Sequence, residues 1–292
     1  MTEPLPARWR SVCLCVIDPP GFTHGAAVAE VIDALAAGLR RLGASIDVRT
    51  NEASGSGGVT LVILPSLLDP AVAARLPQDA ILYNFEQVGS ANDTNAAFHA
   101  AARHHVLWDY SRRNLDRLRR DCGHERLIHV PVGYVPELTR IEPDPAPDID
   151  VLFYGRLTPR RHAALRAMVE GGLTVRAVFG VYGAQRDALI ARARLVVNIH
   201  HAADSTLEEV RLSYLMANGR PILTECGPQT DAEPDFLAGI AAVPYAELAC
   251  TAADLVRDPA ALAALGACGF DQFRQRDLTR ILWRAIDRTE AL

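Results

Sequence analysis

Residues 150–225 decide the fold of this chain, and their key pieces are DVLFYGRLTPRRH (150–162), VRAVFGVYG (175–183), LVVNIHH (195–201) and EEVRLSYLMANGRPILTE (208–225). Short apolar segments rich in β-branched residues alternate here with helical patterns. This alternation predicts a doubly wound α/β fold, in which a parallel sheet has helices on both faces. Because such sheets bind ligands beyond the carboxyl ends of their strands, candidate binding residues should follow the strands directly.

Gly155 and Arg156 follow the first of these strands, and Thr158 and Pro159 open the next helix. A glycine lets a ligand approach the backbone, and the free N–H groups of a helix N-terminus attract phosphate. Arg156 is therefore a candidate phosphate ligand that can form two hydrogen bonds, with a surface arginine after a turn as the alternative. Arg161, in the first turn of the helix, is either a second anion contact or a solvated charge.

The second and third strands end in an aromatic loop and in paired histidines. Phe179, Gly180 and Tyr182 form either a pocket for a nucleotide base or a purely structural turn. His200 is a candidate ligand contact, and because neighbouring strand residues point in opposite directions, His201 would then face away. Two adjacent histidines are poorly spaced as metal ligands, so no metal site is predicted.

The third helix opens with Glu208, Glu209 and Arg211. Acidic residues in a first turn ordinarily complement the helix dipole. A carboxylate at this sheet edge can also bind the two hydroxyls of a ribose, which makes either glutamate a candidate for that contact. Arg211 is a candidate for a phosphate contact or for a salt bridge.

A proline- and acid-rich segment, IEPDPAPDID (141–150), separates two halves that both show the α/β pattern. Proline excludes it from helix interiors and central strands, so it marks a domain boundary. The expected division is an N-terminal domain at 1–140, a C-terminal domain at 141–275 and a helix at 276–292 that returns to the first domain. The two domains are expected to face each other across a cleft.

The composition argues against several classes of protein. A net charge of −5 speaks against a nucleic-acid partner. All 30 residues counted as Lys+Arg are arginines, which excludes lysine Schiff bases and the P-loop motif. No GxGxxG follows a strand, which disfavours a dinucleotide-dependent oxidoreductase. No apolar run approaches the ~20 residues of a transmembrane helix, and the N-terminal apolar run is too short for a signal peptide, so a cytoplasmic location is expected.

These motifs, together with LYNFEQ (82–87), VLWDYSRRN (106–114) and VPVGY (130–134), resemble the GT-B glycosyltransferases over most of residues 60–290. The most similar group is that of the spore-maturation-protein-like and family-1-like transferases. The resemblance implies two Rossmann-like domains, with a nucleotide-sugar donor on the C-terminal domain and an acceptor on the N-terminal domain. It implies no essential metal and no cofactor, the nucleotide-sugar being a substrate. Arg211 falls where the family has an arginine.

The chain departs from that family at two points. Many retaining members carry a Glu-x7-Glu pair, and the position of its second glutamate is Tyr214 here. The lysine that these enzymes often place on the diphosphate is absent as well. Retention or inversion at the anomeric carbon therefore cannot be read from the motif, and the sugar, the base and the acceptor (glycan, small molecule or protein) stay open.

Two residues of the first half are candidates for the base that deprotonates the acceptor. His24 lies in the loop after the first strand, where inverting family members often place a base, and its pKa near neutrality suits that role. Glu86 follows a later strand and is the other candidate, whereas Asp109 is expected to cap the next helix. The sequence thus predicts a glycosyltransferase; the alternative is a non-catalytic nucleotide- or glycan-binding protein with the same fold.

Overall fold

The chain divides into two units, each built around its own parallel sheet. The computed structural model describes residues 4–22, 25–53, 57–89, 95–201, 206–228 and 230–292. The N-terminal unit comprises Met1–Val135 with Asp277–Leu292, and the C-terminal unit comprises Pro136–Arg276. The chain therefore passes from one unit to the other just before the proline- and acid-rich segment, and it returns at Asp277.

The N-terminal unit contains a parallel six-stranded sheet among its described residues, in the order β2-β1-β3-β4-β5-β6. Its strands are β1 (Ser11–Val16), β2 (Ser45–Thr50), β3 (Val59–Ile63), β4 (Ile81–Asn84), β5 (Val106–Asp109) and β6 (Leu127–His129). Its first four helices are α1 (Ala29–Arg41), α2 (Pro70–Ala73), α3 (Ala96–Ala102) and α4 (Arg112–Cys122). Strands β3, β4 and β5 are buried along their whole length, as expected for a sheet covered on both faces.

The C-terminal unit repeats this architecture with a five-stranded parallel sheet in the order β11-β10-β9-β7-β8. Its strands are β7 (Ile149–Tyr154), β8 (Val175–Val178), β9 (Ala193–Asn198), β10 (Ile222–Glu225) and β11 (Ala241–Val243). Its helices are α5 (Pro159–Glu170), α6 (Gly183–Arg192), α7 (Glu209–Ala217), α8 (Pro234–Leu237), α9 (Leu248–Arg257) and α10 (Pro259–Phe273). Thr158 caps α5 by accepting a hydrogen bond from the N–H of Arg161.

The last helix, α11 (Leu278–Glu290), belongs to the N-terminal unit. Asp277 caps it, and its apolar stripe packs against α1, where a Cβ on Gly38 would lie 2.8 Å from Leu282. The indole N–H of Trp108 donates to the hydroxyl of Thr289 over 3.0 Å. The prediction of two doubly wound units with a returning C-terminal helix is confirmed.

Both sheets have one topological switch point, where the strand order reverses. In the N-terminal unit it lies between β1 and β3, and in the C-terminal unit between β7 and β9. Neighbouring helices leave the sheet on opposite faces there, so the carboxyl ends of the two strands open a crevice that commonly binds ligands. None of the helices in the described part of the chain has the length and apolar character that a bilayer crossing needs.

Candidate functional site

The switch point of the C-terminal unit brings Gly155 and Arg211 together. The N–H of Gly155 donates to the carbonyl of Val178 over 2.9 Å, and its φ of +150° is a conformation that favours glycine. A Cβ at this position would lie 3.4 Å from both terminal nitrogens of Arg211. Arg211 also donates to the side-chain oxygen of Asn198, the last residue of β9, over 3.3 Å. Bare backbone and a guanidinium thus share this edge of the sheet.

Glu208 is held at the same edge by two neighbours. Its Oε2 accepts a hydrogen bond from the Nδ2 of Asn198 at 2.8 Å and lies 2.9 Å from the Nδ1 of His200. The Nε2 of His200 lies 3.3 Å from the hydroxyl of Thr230, and the imidazole is fully buried. His200 therefore orients Glu208 from inside the unit and does not face solvent itself.

The groups at this edge of the sheet shift the pKa of Glu208. Burial by itself would raise the pKa, but the hydrogen bond and charge of His200, the charge of Arg211 and the amide of Asn198 outweigh it. The pKa falls to about 2, so Glu208 is ionised at neutral pH.

The three arginines that follow β7 differ in their burial and in their hydrogen-bond partners. Arg160 forms a bidentate ion pair with Glu225, in which its Nη1 lies 2.6 Å from Oε2, and it stacks 3.9 Å from the ring of Tyr245. Arg161 is buried and donates to the carbonyls of Ile199 and Arg156. Burial and the neighbouring cations lower the pKa of Arg161 to about 10. Arg156 itself is exposed, and within the described chain its guanidinium makes no hydrogen bond or ion pair.

The loop after β8 presents an aromatic side chain to solvent. Phe179 is 52% exposed, Gly180 has a φ of +70°, and half-buried Tyr182 is the N-cap residue of α6. Burial raises the pKa of Tyr182, while the charge of Arg211 opposes this. These residues therefore lie at the same edge as Gly155 and Arg211, as the alternation of strands and helices predicts.

Glu209, the next residue after Glu208, points into a different environment. It is 4% exposed, and its Oε2 lies 3.7 Å from a terminal nitrogen of Arg276. Arg276 also pairs with Asp235 at 2.8 Å and with Glu233 at 3.4 Å. Burial first, with the two acidic neighbours, raises the pKa of Glu209 to about 7 against the opposing charge of Arg276. Of the two candidate glutamates, Glu208 is the one that lies at the switch point.

Tyr214 stands at the position of the second glutamate of many retaining GT-B enzymes, and its hydroxyl is not an exposed polar group here. Its hydroxyl donates to Asp187 at 2.8 Å and accepts from the Nε of Arg140 at 2.9 Å. The guanidinium of Arg186 lies 4.7 Å from the ring, and Tyr214 is 3% exposed. Burial, together with the hydrogen bond to Asp187 and its charge, raises the pKa of Tyr214 to about 12 against the opposing effect of Arg140. The phenol therefore ties α7 to α6 and to the segment that enters the C-terminal unit.

The sheet edge of the N-terminal unit carries Glu86. This residue is exposed two positions after β4, and its carboxylate makes no hydrogen bond in the described chain. Although Glu86 lies on the surface, desolvation by the surrounding chain raises the pKa of its carboxyl above the ordinary 4.5. The other candidate base, His24, lies outside the described residues.

Asp109, the last residue of β5, is fully buried near Glu86. The expectation that it caps α4 is wrong, because Ser111 is the N-cap residue and accepts from the N–H of Asn114 over 3.3 Å. Asp109 instead accepts hydrogen bonds from the side-chain amides of Asn84 and Asn114. Desolvation raises the pKa of Asp109 to about 7, and its hydrogen bonds only partly offset this.

Sequence reasoning did not predict the role of the polar residues that organise both edges. Asn84, Asp109 and Asn198 are each the last residue of a strand, and each is at most 1% exposed. A polar residue at that position was the available signal. The described residues contain no group of three or more His, Cys, Asp or Glu side chains arranged to hold a metal ion.

No family model matches the chain. One curated relative is similar to part of it, the uncharacterized protein L140 of Acanthamoeba polyphaga mimivirus, at 27% identity over 112 residues. The match covers 37% of this chain and 36% of that protein, so it spans little more than a third of the relative's length.

Solved structures match the chain over nearly its whole length. The sucrose-phosphate synthase of Thermosynechococcus elongatus has a TM-score of 0.63 at 13% identity, covering 96% of this chain and 99% of that one. HepE of Anabaena in complex with UDP-glucose has a TM-score of 0.61 at 14% identity, covering 96% and 100%. AviGT4, a glycosyltransferase involved in avilamycin A biosynthesis, has a TM-score of 0.59 at 15% identity, covering 99% and 98%. With its two doubly wound units and its returning helix, the chain has a GT-B glycosyltransferase-like fold.

Proposed function

We propose that this protein is a glycosyltransferase that moves a sugar from a nucleotide-sugar to an acceptor hydroxyl. The observation that carries the proposal is the chemistry at the C-terminal switch point. The backbone of Gly155, the guanidinium of Arg211 and the ionised Glu208 lie together there within a GT-B-like fold, and exposed Arg156 is the next residue in the chain after Gly155. The similarity to HepE, whose structure contains UDP-glucose, supports a nucleotide-sugar as the donor.

In this proposal the donor is bound by the C-terminal unit. Arg156 and Arg211 hold the diphosphate, aided by the backbone N–H groups at the start of α5. Glu208 binds the ribose hydroxyls through its Oε1, because its Oε2 already accepts from Asn198 and lies against His200. Phe179 and Tyr182 offer aromatic faces to the base.

Catalysis is then electrostatic and positional. Cations fixed beside the diphosphate stabilise the negative charge that develops as the sugar leaves, without any reorganisation at the moment of reaction. The N-terminal unit binds the acceptor. It also provides the base, which is Glu86 or His24. A carboxylate or a neutral imidazole removes the proton of the acceptor hydroxyl as that oxygen attacks the anomeric carbon.

The second candidate function is a nucleotide- or glycan-binding protein without catalysis. Two observations favour it. The hydroxyl of Tyr214 is already hydrogen-bonded to Asp187 and Arg140, and the chain has no lysine that could bind the diphosphate. A binder of this kind would saturate with donor and leave it intact.

One experiment separates the two functions. Purified protein is incubated with a panel of UDP-, GDP-, ADP- and TDP-sugars, with and without a mixture of glycans and small hydroxylated acceptors. Release of nucleoside diphosphate that rises with acceptor, and that persists in a chelator, is expected for a metal-independent transferase. Tight binding by calorimetry with no release from any donor would establish the binder instead.

A further inference from the structure

The loop after β4, which carries Glu86, is held at its backbone from two sides. On one side Asn84 accepts from the N–H of Glu86 over 3.2 Å and donates through Nδ2 to its carbonyl over 2.8 Å. On the other side the Nδ2 of Asn114 donates to the same carbonyl over 2.8 Å, while its Oδ1 accepts from the N–H of Val88 over 3.0 Å. Two buried side-chain amides therefore clamp the peptide groups of the loop.

Asp109 fixes the orientation of both amides. Its Oδ2 accepts from the Nδ2 of Asn84 at 2.7 Å, and its Oδ1 accepts from the Nδ2 of Asn114 at 3.0 Å and from the N–H of Ser111 at 2.8 Å. The oxygens of Asp109 accept hydrogen bonds from both side-chain amides, so Asn84 and Asn114 turn their NH2 groups toward it. Their carbonyl oxygens are then directed to the N–H groups of the loop.

The position of Glu86 depends on this arrangement through its backbone. Its carboxylate is exposed and makes no hydrogen bond of its own within the described chain, so the clamped peptide groups are what fixes the point from which the side chain extends. A buried hydrogen-bond network in which every member is satisfied is stiff and specifies one geometry.

We propose that Asp109, acting through Asn84 and Asn114, is a positioning residue that holds Glu86 in place as the base. This inference rests on the proposed function and deepens it, because it selects Glu86 over His24. Asp109 does not touch the substrate; it acts only by fixing the loop. A displacement of about 1 Å at a reacting group can cost roughly 100-fold in rate.

The first arm of the test needs no activity. Hydrogen exchange of the Glu86 and Val88 amides is measured in the full chain for the wild type, Asp109→Asn and Asn114→Ala. In Asp109→Asn the new NH2 group faces other hydrogen-bond donors, so the backbone amides of Glu86 and Val88 should exchange at least about 10-fold faster. Asn114→Ala removes one clamp, suits a helix and should affect Val88 more than Glu86. Unchanged exchange in both variants overturns the inference.

A matched control lies in the same unit. Asn95 donates through its side-chain amide to the carbonyls of Ser66 and Leu68, a comparable clamp on a different loop. Asn95→Ala should leave the exchange of Glu86 and Val88 unchanged. If it accelerates their exchange as much as Asp109→Asn does, the network is not specific to this loop and the inference is wrong.

The second arm is kinetic and uses a double-mutant cycle. Asp109→Asn should lower kcat for transfer by roughly 10- to 100-fold without changing the KM for the donor. Combined with Glu86→Gln it should cause no further loss, because both changes remove the same function. Additive losses, or full activity of Glu86→Gln, overturn the inference while leaving glycosyl transfer intact. Failure of the wild type to transfer from any donor would overturn the proposed function, and the exchange arm would still decide whether Asp109 fixes the loop.

Discussion

The two units share one topology but place very different carboxylates at the ends of their strands. In the C-terminal unit Glu208 lies beside His200 and Arg211, and its pKa falls to about 2. In the N-terminal unit Asp109 is surrounded by neutral N–H donors, and its pKa rises to about 7. Burial disfavours the charged form in both places, so the cations decide the difference. The carboxylate of the C-terminal unit is therefore held in its ionised form, whereas burial favours the neutral form of the carboxyl in the N-terminal unit.

The largest expected effect is on the transfer rate, when the proposed base of the N-terminal unit is removed. Glu86→Gln should lower the transfer rate by about 10²- to 10⁴-fold, the usual share of general-base catalysis, while donor affinity stays constant. Because the pKa of Glu86 is raised, the wild-type rate should begin to fall at a pH above 4.5 on acidification. Steady-state kinetics over a pH series measures both.

His24→Ala is the matched test for the other candidate base. If His24 is the base, that variant loses a similar factor, and the wild-type rate falls below a pH of about 6.5. Full activity of Glu86→Gln together with this behaviour would move the assignment to His24.

The next largest effect is on the free energy of unfolding, whose dependence on pH has opposite signs for the buried carboxyls of the two units. The folded pKa of Asp109 lies above its ordinary 3.8, so its stabilisation is complete below about pH 4 and is lost as the pH rises through about 7. The folded pKa of Glu208 lies below 4.5, so its stabilisation is present above that pH and is lost as the pH falls through about 2. The free energy of unfolding should change by roughly 4 kcal/mol through Asp109 and by roughly 3 kcal/mol through Glu208.

Urea unfolding between pH 2 and pH 8 checks this prediction. Asp109→Asn should remove the loss of stability toward neutral pH, whereas Glu208→Gln should remove the loss toward acid pH. Variants with indistinguishable pH profiles would show that the two edges do not differ in charge as described.

A smaller effect concerns donor binding by the C-terminal unit. Arg156→Ala should weaken nucleoside-diphosphate binding by about 1.5–3 kcal/mol, because it removes a charge-assisted hydrogen bond. Arg166→Ala is the matched control, since Arg166 forms an exposed pair with Glu170 on the same helix. Calorimetry that finds equal affinities for both variants would remove Arg156 from the site.

The smallest effect comes from a second buried titratable group of the N-terminal unit. His124 is 2% exposed, and neither ring nitrogen has a hydrogen-bond partner in the described chain. Burial, with the charges of His99 and Arg103, lowers the pKa of His124 below 6.5. Its neutral form is favoured in the fold, so the contribution of His124 to stability should decline as the pH falls below 6.5, and the stability of His124→Leu relative to the wild type should rise over that range. Thermal unfolding at pH 5.5 and pH 7.5 measures the difference.

The sequence by itself determined the architecture, and it predicted the edge of the sheet at which the candidate site lies. Strand–helix alternation forces parallel strands, and parallel strands collect their carboxyl ends at one edge, so the order of the elements predicts Gly155, Arg156 and Tyr182 there as candidate residues. The prolines between 141 and 150 predict a boundary because proline cannot continue a helix or a central strand, whereas the division by contacts falls earlier, between Val135 and Pro136.

Only the tertiary structure decided which of these side chains are available. Glu208 and Glu209 are neighbours in sequence, yet one faces Asn198 and the other Arg276. Arg156 and Arg161 belong to one motif, yet the second donates to two backbone carbonyls. The partners of Asp109 lie 25 and 5 positions away in the chain, at Asn84 and Asn114. Hydrogen bonds and burial depend on such contacts between distant segments, and no local pattern encodes them.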